Sequence, residues 1–121
     1  MNPMKDIEWV GSAKKDLKSM PEGVQHTFGF ALHLAQIGRK HAKAKPLQGF
    51  GSAGIVEIVE DADAGTYRAV YTVRFSDVVY VLHCFQKKSA HGIATPKPDM
   101  DLIRSRLKQA AVHHGATHGK N

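Results

Sequence analysis

Three groups of charged side chains are spaced closely enough to act together. Arg39, Lys40, Lys43 and Lys45 form one basic cluster, Lys87, Lys88 and Lys97 another, while Glu57, Glu60, Asp61 and Asp63 gather in a short acidic stretch. Lysine and arginine grip phosphate by charge and hydrogen bonding, and basic groups at strand ends and in loops reach a nucleic-acid backbone without disturbing a core. A single lysine is ordinary solvated surface, so it is the clustering that singles these groups out. The whole chain agrees: 17 Lys and Arg against 11 Asp and Glu leave +6 on 121 residues. Such a balance points to a polyanion before any neutral metabolite.

Other chemistries find little support. The lone Cys84 excludes an internal disulfide framework and a cysteine-based zinc site. Its neighbour His83 would point to the opposite face of a strand, which argues against a Cys–His nucleophile and leaves His83 as a core or half-buried histidine. His113, His114 and His118 lack a fourth ligand on an ordered backbone, so no metal is expected. No apolar run approaches the roughly 18 residues of a membrane span, and no apolar signal segment follows Met1, which gives a cytoplasmic, soluble expectation.

These side chains must be positioned by the elements around them. Ile7 to Val10 reads as a strand that enters a helix at Ser12, a capping residue. Ala13, Leu17 and Met20 mark that helix until Pro21; Val24, Phe28, Leu32 and Ala35 mark a second, stopped by Gly38. The two make a hairpin. Residues 46–54 read as a Gly-rich connector, and three β-rich runs follow: Ile55 to Glu60, Tyr67 to Phe75 and Val78 to Phe85. In the middle run Arg68, Val70, Thr72 and Arg74 share one face, with Tyr67, Ala69, Tyr71, Val73 and Phe75 on the other, the tyrosines facing the core. Asp99 can cap a last helix with Met100, Ile103 and Leu107 inward and Arg104, Arg106 and Lys108 outward. The fold class is α+β: a small antiparallel sheet, a three-stranded meander plus the N-terminal strand, with a helical hairpin on one face and a C-terminal helix. One domain spans 1–112, and 113–121 read as a mobile tail. The other sheet face is expected to stay open for function.

Tyr67-Arg68-Ala69-Val70-Tyr71 resembles the Tyr-Arg-x-x-Tyr strand of RelE-like toxins from bacterial toxin–antitoxin pairs. Val79 to Phe85, continued by Gln86-Lys87-Lys88, is similar to the Phe-x-Lys-Lys strand end of the HigB-type, phage-derived branch. Gly92-Ile93-Ala94-Thr95-Pro96 and the helix from Asp101 to Leu107 extend the likeness over most of the chain, from about Ile7 to Lys108. The resemblance implies a toxin that cuts messenger RNA in the ribosome, restrained by a cognate antitoxin with a helix-turn-helix domain, and needing neither metal nor cofactor. An acidic or amphipathic antitoxin segment is expected to cover the Arg68 face or displace the helix of residues 99–108.

Cleavage by the ribose 2′-hydroxyl requires a proton acceptor, charge stabilisation at the phosphorane and a proton for the leaving oxygen. On the resemblance Arg68 takes the phosphate, with Lys87 and Lys88 beside it. Adjacent strand residues point to opposite faces, so only one of the two lysines reaches the substrate of Arg68. Glu57 and His91 are the candidates for proton transfer. Glu57 has an alternative part, pairing with Arg68 or Arg74 across the strands. Arg39, Lys40, Lys43, Lys45, Arg74 and Lys97 would hold RNA or ribosome. One departure stands out: Val59 occupies a place where the branch commonly has a basic residue. That departure keeps open a second function, a non-catalytic RNA- or protein-binding module of the same fold, encoded by a prophage.

Overall fold

The computed structural model describes residues 4–51, 54–63, 65–87 and 95–117. The chain order is β1 (Asp6–Trp9), α1 (Ala13–Lys18), α2 (Glu22–Gln36), β2 (Lys45–Pro46), β3 (Ile55–Ala62), β4 (Gly65–Thr72), β5 (Val78–Lys87) and α3 (Lys97–Thr117). The strands form one sheet in the order β1-β5-β4-β3-β2. β3, β4 and β5 are the expected antiparallel meander. β1 joins β5 in parallel, which is possible because a helical hairpin intervenes between them.

Alternation along the strands divides the core in two. Val56, Ile58, Tyr67, Ala69, Tyr71, Val79, Val81 and Cys84 meet Leu17, Val24, Phe28 and Leu32 of the helical hairpin. Ile55, Val70, Val78, Tyr80 and Leu82 meet Ile103 and Ala110 of α3 on the other side. The β4–β5 register shifts between Val70, opposite His83, and Tyr71, opposite Val81, so Leu82 is an extra residue in β5. This bulge turns Leu82 and His83 together toward α3 and returns Cys84 to the hairpin side.

Several expectations need correction. The sheet has five strands, because Lys45–Pro46, inside and beside the Gly-rich connector, pairs with Glu57 and Val56, and it is mixed, because β1 runs parallel to β5. Proline is tolerated there since β2 is an edge. The second face is not open: α3 lies across most of it. β4 ends at Thr72, so Arg74 and Phe75 lie beyond the strand. Arg106, expected outside, is only 9% exposed. α3 begins at Lys97, which makes Asp99 a first-turn residue rather than the cap, and it runs to Thr117, so residues 113–117 are helical instead of a loose tail. Ser12 stands at the start of α1 without a capping hydrogen bond to the backbone; its hydroxyl donates to Asp16 Oδ2 at 2.7 Å. Lys88 and His91 lie outside the described residues.

Candidate functional site

β3 and β4 carry the centre of the site. Their register places Glu57 opposite Val70 and Val59 opposite Arg68, so Glu57 and Arg68 are diagonal neighbours on the α3-facing side. Arg68 Nη1 donates to Glu57 Oε1 at 3.0 Å and to Thr95 Oγ1 at 3.4 Å. The two charged residues are 5% and 7% exposed. Of the two cross-strand partners considered for Glu57, Arg68 rather than Arg74 is the one it pairs with.

Where α3 stops covering the sheet, a cleft of about 380 Å3 remains above this pair. Its wall includes Lys45 and Gln48 from β2 and the loop after it, Val59 and Asp61 from β3, Thr66 from β4, and Thr95 and Met100 beside the start of α3. Lys45 faces Glu57 across the β2–β3 pair and has no ion-pair partner among the described residues. Thr66 donates to Asp61 Oδ1 at 3.0 Å and lies opposite Lys87 in β5. Since Phe85 is opposite Arg68 and Lys87 two residues on, Lys87 belongs to the strand face of Arg68.

The cleft therefore joins cations able to bind phosphate, a carboxylate able to accept a proton, and hydroxyls able to orient a ribose or phosphate. Of the candidate site residues singled out in the sequence it brings together Arg68, Glu57 and Lys45, while Lys87 shares their sheet face but is not in the lining. Lys88 and His91 are outside the described residues, and the remaining ones are elsewhere. Lys43 pairs with Glu60 at 2.6 Å, and Lys97 pairs with Asp101 at 2.9 Å on the exposed side of α3. Arg74 sits past the other end of β4, its guanidinium 5.2 Å from the Phe75 ring. Arg39 and Lys40 border a separate groove on the α2 side. Thr95, Thr66 and Gln48 were not foreseen as site residues. Thr95 had a signal, its place before Pro96 in the segment that carries the family likeness.

His83 is a core residue, as expected. Its Nε2 donates to Asp99 Oδ1 at 2.8 Å and its ring stacks on Phe85 at 4.3 Å. Cys84 is buried on the opposite side, and that burial pushes its thiol up to about 12, the reverse of what a nucleophile needs. Among the described residues no group of His, Cys, Asp and Glu is placed to hold a metal, and no helix is long and apolar enough to cross a membrane.

Comparison with known proteins adds two observations. A family model described as phage-derived protein Gp49-like matches residues 15–108. Among solved structures the fold is similar to that of the E. coli toxin RelE, studied as a double arginine-to-alanine mutant in the free state, with a TM-score of 0.51 and 16% identity over 88% of this chain and 97% of that one. The RelBE2 toxin–antitoxin complex from Mycobacterium tuberculosis is also similar, with a TM-score of 0.43 and 20% identity over 74% of this chain and 98% of that one. At such identities the likeness concerns the fold. No curated protein matches the sequence.

Proposed function

Since the chain belongs to the phage-derived Gp49-like family and folds like RelE, we propose that it is the toxin of a type II toxin–antitoxin pair, of HigB type. It works in the cytoplasm as an endoribonuclease that cuts messenger RNA on the ribosome. The observation that carries this reading is the cleft in which Arg68, Glu57 and Lys45 converge beside Thr66 and Thr95. In outline, Glu57 accepts the proton of the attacking 2′-hydroxyl. Arg68, 3.0 Å away, shifts a hydrogen bond from Glu57 to the phosphate as negative charge develops there. Lys45 and Lys87 hold the flanking backbone, and His91 remains the candidate for protonating the leaving oxygen. A helix-turn-helix antitoxin restrains the activity.

One observation favours a second reading, a binding module that does not cut. Arg68 already spends a hydrogen bond on a buried carboxylate, and the cleft's lining charges, Lys45 and Arg68 against Glu57 and Asp61, cancel. The two readings separate on induced expression in a bacterial host, with growth and the 5′ ends of translated messages followed for wild type, Arg68→Ala and Arg68→Lys. Growth arrest with new ends in the wild type, lost in Arg68→Ala and still impaired in a folded Arg68→Lys, supports the nuclease. Soluble wild-type protein that neither arrests growth nor makes new ends leaves the binding module.

A further inference from the structure

On the α2 side of the sheet the helical layer stops short of the β2–β3 corner. α2 ends at Gln36, the chain reverses at Gly38 with φ of 80°, and the Arg39 N–H closes onto the Leu34 carbonyl at 2.7 Å. Lys5 is fixed against this end by two hydrogen bonds: its N–H reaches the Gln36 carbonyl at 3.0 Å, and Gln36 Nε2 donates to its carbonyl at 2.7 Å. Opposite, the Val73 N–H donates to the Gly54 carbonyl at 2.8 Å. Between these walls lies a groove of about 450 Å3, with Val56, Tyr71 and Val73 on its floor and Lys5, Arg39 and Lys40 at its rim. Pro46 of β2 borders both this groove and the Arg68 cleft, so the edge strand divides them.

The rim is unbalanced in a way the cleft is not. No acidic residue lines the groove, and none of its three cations has an ion-pair partner among the described residues, whereas Lys43, Arg68, Lys97 and Arg104 each have one. Val73 is 40% exposed and Ile37, beside the Gly38 turn, 45%. Apolar surface framed by unpaired cations complements a chain with apolar anchors and carboxylates next to them. RNA fits less well, because the one aromatic ring in the lining, Tyr71, is 1% exposed and offers no face for a base to stack on.

We propose that this groove docks a segment of a partner protein that carries acidic side chains beside apolar anchors. The inference goes beyond the proposed function. If the chain is a toxin, its antitoxin is the natural source of that segment, and it would dock on the α2 side without filling the Arg68 cleft. The groove does not require cleavage to be correct.

The test is a titration of the purified full chain with a fluorescein-labelled synthetic peptide that has leucines on one side and glutamates on the other. A peptide with lysine in place of glutamate and a single-stranded RNA of matching formal charge serve as competitors. Saturable binding of the acidic peptide is expected, with amide shifts at Gly38, Val56 and Val73. Binding should weaken about tenfold or more in Arg39→Glu/Lys40→Glu, two exposed positions. Val73→Asp, checked for an unchanged melting temperature, should weaken it as well. Absence of saturable binding, binding indifferent to the charge reversal, or displacement by the RNA would each overturn the proposal, the last by making the groove a nucleic-acid surface. Because the titration needs no catalysis, its failure is distinguishable from a failed growth experiment.

Discussion

A guanidinium and a carboxylate buried together cost more to separate than to delete as a pair. Arg68 and Glu57 are nearly without solvent, so truncating either leaves the other desolvated and unmatched, at about 3–5 kcal/mol. Replacing both with apolar side chains of similar volume avoids that penalty. Chemical denaturation should therefore find Glu57→Leu and Arg68→Met each destabilised by about 3 kcal/mol or more, and the double variant close to wild type. Additive losses would show that the pair contributes through packing alone. At this scale the sequence was legible where strand alternation acts: it put Arg68 on the face opposite Tyr67 and Tyr71, and it offered Glu57 as a cross-strand partner. It could not supply Thr95, whose hydroxyl reaches Arg68 from residue 95 to residue 68. That contact joins residues 27 apart in the chain, a separation that no local periodicity encodes.

The same limit governs the elements. The helical hairpin, the meander and the N-terminal strand all follow from apolar spacing with Pro21 and Gly38 as punctuation. β2 did not, because a two-residue edge strand has no periodicity to read. The placement of α3 was only half legible. Met100, Ile103 and Leu107 predict a buried stripe, but Arg106 breaks it, and the reason is structural. β1's hydrogen bonding to β5 ends where Val10 N–H meets the Val81 carbonyl. The next β5 carbonyl, on the bulged Leu82, receives Arg106 Nη1 at 2.9 Å, while Nη2 donates to Ser12 Oγ at 3.2 Å. One side chain thus ties α3 to β5 and to the start of α1. Gly11, with φ of 57°, gives it room: a Cβ there would stand 2.9 Å from the guanidinium. The far end of α3 is anchored as well, Tyr80 Oη lying 2.7 Å from His113 Nδ1 and His114 Nε2 2.8 Å from Asp77 Oδ1. These contacts explain why a histidine-rich stretch with little to bury is nevertheless helical. Arg106→Met, which keeps the apolar stem and loses both charged hydrogen bonds, should cost about 2–3 kcal/mol in urea unfolding. A loss below about 0.5 kcal/mol would mean that the bonds are not what holds α3 down.

Considered whole, the molecule has its least ionisable side chains in the layer between the sheet and the helical hairpin. Burial raises Tyr71 from 10.0 to about 12 and Cys84 from 9.0 to about 12, and it raises Tyr80 on the α3 side in the same direction. Each group is neutral when protonated, so the folded chain keeps protons that the unfolded chain gives up at lower pH. The stabilisation is complete below the unfolded values, near 9 for the thiol and 10 for the phenol, and is lost as pH rises through the folded values. Only global unfolding exposes Tyr71 and Cys84, because they lie 1% exposed in the central strands β4 and β5. Unfolding free energy should therefore fall by about 3 kcal/mol between about pH 8 and about pH 10.5, the thiol contributing the larger part since its shift begins lower. Cys84→Ala tests the assignment. It should lower stability at neutral pH by leaving a small cavity, yet flatten the alkaline slope by removing the thiol's share. Parallel pH profiles for wild type and variant would show that the thiol is not the source of the alkaline loss.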